Sequence, residues 1–108
     1  MSIRLAKQWS PLNQESVNKL KGELGVFQLG NEAEEIIYVG FAGSQSQFGM
    51  RGELDKHIDK APLFRTEITS SYSTRFQELL MVHHADFGCY PALNSDVETA
   101  NLGKLSPL

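Results

Sequence analysis

The sequence predicts a small α+β domain, a three-stranded antiparallel sheet flanked by helices in the order β-β-α-β-α. Three observations carry this reading. Two short apolar runs, residues 25–29 and 35–39, are joined by a turn-rich link. Phe64, Thr66 and Ile68 alternate with Arg65, Glu67 and Thr69, the period of a half-buried strand. Apolar residues at three- and four-residue steps follow the second run and the alternating run, as in helices with one buried face.

The elements are justified in chain order. Residues 1–13 read as irregular, with Trp9 and Leu12 as anchors onto the core. Residues 14–21 fit a short helix capped by Asn13, with Val17 and Leu20 sharing a buried face. The runs 25–29 and 35–39 form an antiparallel hairpin across Gly30-Asn31-Glu32-Ala33-Glu34. Residues 40–47, with two glycines and two serines, read as a loop. Met50, Leu54, His57, Ile58 and Ala61 give a helix that Pro62 stops. Ser71 caps a longer helix through about residue 87. Its core stripe is Tyr72, Phe76, Leu79, Leu80, His83 and Phe87, and Gly88 is its C-terminal stop. Beyond Asn94 the tail is polar and loose, with Leu102 and Leu105 able to dock.

A length of 108 residues favours one domain with one modest core. A hydrophobic share of 41% with 21% charged residues places the chain among globular proteins rather than disordered ones. No apolar run reaches the ~18 residues of a membrane span, and the N-terminus has no signal-peptide pattern. Cys89 is the single cysteine, so an internal disulfide is excluded and a reducing cytoplasm is the expected compartment. The net charge of −3 counts against nucleic-acid binding by the surface as a whole and leaves a local basic patch as the route to it. His83, His84 and Cys89 lack metal-ligand spacing, so zinc is not expected. His83 reads as a core-edge histidine, His84 as exposed and Cys89 as a packed thiol.

Two tripeptides at the strand runs, Gly25-Val26-Phe27 and Tyr38-Val39-Gly40, are followed by Arg51, Glu78 and Asn94 in that order. This pattern resembles the GIY-YIG nuclease superfamily over residues 24–95, leaving 1–23 as an N-terminal extension and 96–108 as a tail. The resemblance implies a β-β-α-β-α core and a metal-dependent endonuclease that hydrolyses DNA phosphodiesters. It places Tyr38 on the tyrosine of the second tripeptide, Arg51 on the helix arginine, Glu78 on the metal-binding glutamate and Asn94 on the late asparagine. His57 lies near a histidine or tyrosine position of the same helix.

The chemistry suits these residue types. A carboxylate such as Glu78 suits Mg²⁺ or Mn²⁺, and Mg²⁺ keeps several waters and needs few protein ligands. The Arg51 guanidinium can fork onto two phosphate oxygens. Tyr38 beside metal-bound water can order it or accept a proton once nearby positive charge lowers its pKa. The Asn94 amide can hold a loop or a water. Phe27 departs from the family tyrosine, keeping the ring and losing the hydroxyl. The alternative is therefore a catalytically weak or inactive module of the same fold that binds nucleic acid or protein. DNA and a separate targeting protein are the partners implied, with no membrane. Among unrelated readings, Trp9, Phe41 and Phe48 serve as exposed anchors of an oligomeric or accessory protein. Arg51 could equally pair with Asp55 on its own helix, Glu78 be a surface residue and Asn94 a turn residue.

Overall fold

Strand β2 (Gly25–Gly30) carries no charged side chain, and all six of its residues are buried, because it is central in the sheet. The computed structural model describes residues 5, 7–43 and 48–94. In chain order the other elements are β1 (Ser10–Pro11), α1 (Gln14–Asn18), β3 (Ile36–Ala42), α2 (Gly49–Asp55), β4 (Leu63–Ile68) and α3 (Tyr72–Phe87). The sheet is antiparallel with the order β1-β4-β2-β3.

The architecture is α+β as expected, but the sheet has four strands rather than three. The extra one is a two-residue edge strand in a segment read as irregular. Ser10 and Pro11 pair with Phe64 and Leu63, and a run that short has no periodicity to betray it. Leu12 is buried behind it, donating its backbone N–H to the Pro62 carbonyl at 2.8 Å.

Alternation along β2 builds two cores. Phe27 and Leu29 face α1 and α2 and pack with Leu12, Val17, Met50, Leu54 and Phe64. Val26 faces α3 and packs with Leu5, Val39, Leu79 and Leu80. The α1 cap is as expected, with Asn13 Oδ1 accepting from Ser16 N at 2.9 Å. The hairpin link is an Asx turn, since Asn31 Oδ1 accepts from both Ala33 N and Glu35 N.

Four expectations are corrected. Gly40, Phe41 and Ala42 continue β3 instead of starting a loop, because they pair with Phe27, Val26 and Gly25. Residues 44–47 of that loop lie outside the described residues, as do 1–4, residue 6 and the tail with Leu102 and Leu105. Helix α2 stops at Asp55, well before Pro62, and a series of turns carries His57 and Ile58 onward. In α3, Phe87 is 65% exposed, because the stripe ends at His83. Cys89 is exposed, beyond the left-handed Gly88 that caps α3 with N–H to His84 O at 2.7 Å.

Gly49 opens α2 with φ of +60°, and a Cβ there would stand 2.4 Å from the Gly22 carbonyl. This close approach, with Met50 N bonded to Glu23 O at 2.8 Å, fixes where α2 crosses the segment before β2.

Candidate functional site

The two tripeptides meet across the hairpin. Phe27 pairs with Gly40 and Tyr38 with Leu29, so both rings project from the α1/α2 face. Gly40 leaves room for them, since a Cβ there would lie 2.4 Å from Phe27 Cζ and 2.8 Å from Tyr38 Cε2. The turn after α2 delivers His57 to the same rings. Centroid separations are 5.9 Å for Phe27–Tyr38, 5.0 Å for Tyr38–His57 and 5.7 Å for Phe27–His57. These distances are those of favourable aromatic pairs.

His57 Nδ1 lies 2.9 Å from the Glu53 carbonyl. A carbonyl only accepts, so Nδ1 carries the proton and Nε2 of the neutral ring is left as an acceptor. The ring is therefore oriented for proton acceptance or for a hydrogen bond from a ligand.

Asn94 is 7% exposed and works as a strand substitute. Its Oδ1 accepts from Val39 N at 2.9 Å and its Nδ2 donates to Val39 O at 3.0 Å. Leu93 N donates to Ile37 O at 2.7 Å. Together these cover part of the outer edge of β3 beside Tyr38, satisfying backbone groups that an edge strand otherwise presents to solvent.

Arg51 does not join the rings. It is one position past buried Met50 and turns outward, lining a cleft of about 310 Å³ with Gln14, Asn18, Phe48, Gly52 and Asp55. The i+4 pairing with Asp55 does not form. Asp55 instead accepts from Gln14 Nε2 at 3.1 Å, and Gln14 also bonds Asn18 at 2.9 Å. Arg51 has no hydrogen-bond or ion-pair partner among the described residues. Phe48, 63% exposed, stands beside it.

Glu78 lies on the other side of the sheet. Helix α3 packs through Leu79 and Leu80 on Val26 and Val39. Glu78 is ion-paired with Arg75, and Arg75 forks onto Glu67 with bonds of 2.7 and 3.1 Å. Glu67 is the partner of Val26 in the register, which puts the whole cluster on the α3 face. The hydrogen bond to Glu67, helped by Glu78, holds the Arg75 guanidinium pKa above its ordinary value, against the pull of burial. The structure thus brings Tyr38 and His57 together, sets Asn94 behind them as a brace, turns Arg51 into the α1–α2 cleft and puts Glu78 on the opposite face of the sheet.

The donor set around Glu78 does not fit a divalent cation. A guanidinium already holds the carboxylate, and the neighbouring Glu67 is bound to that same guanidinium. Among the described residues, no three or more His, Cys, Asp or Glu side chains gather where they could hold a metal ion. Likewise, no described helix is long and apolar enough to cross a membrane.

Two features were not read as site residues from the sequence. Phe48 was legible as an exposed aromatic, but not as the neighbour of Arg51. The signal for Arg75 is its place three residues before a glutamate on a helix, a pairing distance.

A family model described as a domain of unknown function, DUF7508, matches residues 3–86. That span contains Tyr38, Arg51, His57 and Glu78 and stops short of Asn94. No curated protein matches the chain. The match extends over more than half of the sequence, and the chain belongs to the DUF7508 family.

Proposed function

We propose that the chain is a GIY-YIG-like module that binds nucleic acid and has lost most or all of its capacity to cut it. The observation that carries this reading is the engagement of Glu78 by Arg75 on the sheet face opposite Tyr38 and His57. Phe27 points the same way, since it supplies a ring and no hydroxyl. The strand order around β2 and the two tripeptides paired across the hairpin support the GIY-YIG-like core.

The α1–α2 cleft is the binding surface. The Arg51 guanidinium, without a partner among the described residues, suits a phosphate, and the exposed Phe48 ring suits stacking by an unpaired base. Such a pairing favours single-stranded or splayed nucleic acid, where bases are free to stack. A local contact of this kind is compatible with a net charge of −3.

A second reading is favoured by one observation, the contact of Tyr38 with His57. In it the chain is a DNA endonuclease using Mg²⁺ or Mn²⁺ at Glu78, and a separate protein supplies targeting. It requires Glu78 to leave Arg75. Incubating supercoiled plasmid with wild type and Glu78→Ala, with either metal, separates the two. The binding module predicts no nicking by either protein together with gel-shift of single strands. Nicking by wild type that Glu78→Ala abolishes would establish the enzyme instead.

A further inference from the structure

A second cleft, of about 160 Å³, lies on the α3 face of the sheet, away from the Arg51 groove. Its polar lining is Gln28, Arg65, His83 and Asp86, and side chains that include Leu79 and Val82 give it apolar walls. Gln28 is the sole polar side chain of the central strand β2 and is 2% exposed. A buried amide on a central strand calls for an explanation, because burial without partners is costly.

Half of Gln28 is accounted for. Arg65 Nε donates to its Oε1 at 2.7 Å. Arginine has donors only, so this bond fixes the amide orientation and turns the Nε2 group away from Arg65. Nε2 has no hydrogen-bond partner among the described residues, and no fully buried side-chain nitrogen or oxygen among them is left unsatisfied. Gln28 Nε2 therefore reaches accessible space, and the space Gln28 lines is this cleft.

Arg65 brings more donors than its surroundings use. Nη1 donates to the Lys7 carbonyl at 3.0 Å, and the guanidinium carbon sits 4.1 Å from the centre of the Trp9 ring. Those contacts orient the fork while leaving its Nη2 hydrogens without a partner among the described residues. Burial pulls the Arg65 pKa down and only Glu34 opposes it, as befits a cation without a bonded carboxylate. His83 Nδ1 is spent on the Cys89 carbonyl at 2.8 Å, which fixes that ring as a wall beside Phe87.

We infer that this cleft is a binding site for a small monocarboxylate with a short apolar tail, its carboxylate received by Gln28 Nε2 and Arg65. A cavity of about this volume takes a molecule the size of benzene, which suits a short-chain acid. The apolar walls take the tail. Asp86 also lines the cleft, and the apolar walls favour a tailed acid over a phosphate, which has no apolar part to bury.

The test is an NMR titration of the isotopically labelled full chain with sodium butyrate, with 1-butanol and inorganic phosphate as controls. The side-chain amide of Gln28 and the methyls of Leu79 and Val82 are the readouts. Butyrate produces saturable shifts at all three, while butanol and phosphate do not. Gln28→Leu weakens butyrate at least about tenfold, as loss of a hydrogen bond to a charged group does. Val82→Trp, which fills the cleft from a half-buried position and leaves the strand intact, abolishes the shifts even if Gln28→Leu fails to fold. Absence of saturable shifts, equal shifts with butanol, or butyrate shifts that persist in Val82→Trp would overturn the assignment.

Discussion

Gly40 exists for Phe27. The two are cross-strand partners, and the Phe27 ring occupies the space in which a Cβ on Gly40 would lie, 2.4 Å from Cζ. The first tripeptide thus needs the glycine of the second. Gly40→Ala is expected to destabilise the fold by roughly 1–3 kcal/mol, the cost of overpacking a filled core. Urea unfolding with an unchanged m-value measures it, and a variant as stable as wild type would show that the ring moves aside freely.

Asn94 and Val39 give a second expectation. Replacing Asn94 by Leu leaves the Val39 N–H and C=O without the partners they now have. The loss is about 1–3 kcal/mol, and the Val39 amide exchanges its hydrogen faster than that of Leu29 on the central strand. Unchanged exchange at Val39 would mean that the segment after α3 docks without this amide.

Much of the fold was legible because its signals are local. The strand at 63–68 shows in the alternation of Phe64 and Thr66 with Arg65 and Glu67. The Asn13 cap and the Gly88 stop follow from side-chain chemistry within one helical turn. Site geometry was not legible for the opposite reason. Whether Glu78 faces Tyr38 or Glu67 depends on how α3 crosses the sheet, which the packing of Leu79 and Leu80 on Val26 and Val39 sets over a long range of sequence. The helical pattern through Ala61 misled for a related reason. Met50, Leu54, Ile58 and Ala61 are all partly or wholly buried, and burial alone does not require the helix to continue.

The acidic pair around Arg75 is unequal. Glu67 takes two bonds from the guanidinium and its side chain is 30% exposed, against 45% for Glu78. Glu67→Gln should therefore cost more than Glu78→Gln, with each change worth about 1 kcal/mol or less at this exposure. The raised Arg75 pKa contributes stability that is complete below the arginine's unfolded value and is lost only as pH rises through the higher folded one. No change from Arg75 itself is thus expected between about pH 5 and 9, since arginine stays charged there. Thermal melts of the two variants side by side check the ranking, and a larger loss for Glu78→Gln would reverse it.

Gly49 carries the tightest backbone constraint in α2. Its φ of +60° and the 2.4 Å approach to the Gly22 carbonyl act together, so Gly49→Ala is expected to cost about 1–3 kcal/mol. The same variant should weaken nucleic-acid binding, because it displaces the start of the helix that presents Phe48 and Arg51. Intact binding in a destabilised Gly49→Ala protein would separate the groove from the helix geometry.

Binding at the α1–α2 groove is the central claim, and fluorescence anisotropy of a labelled single-stranded oligonucleotide tests it most directly. Wild type and Arg51→Gln are titrated at several salt concentrations with Mg²⁺ present. The expected result is saturable binding by wild type, with weaker binding by Arg51→Gln and a salt slope lower by about 1. Absence of wild-type binding, or an Arg51→Gln protein with the same affinity and slope, would contradict the account.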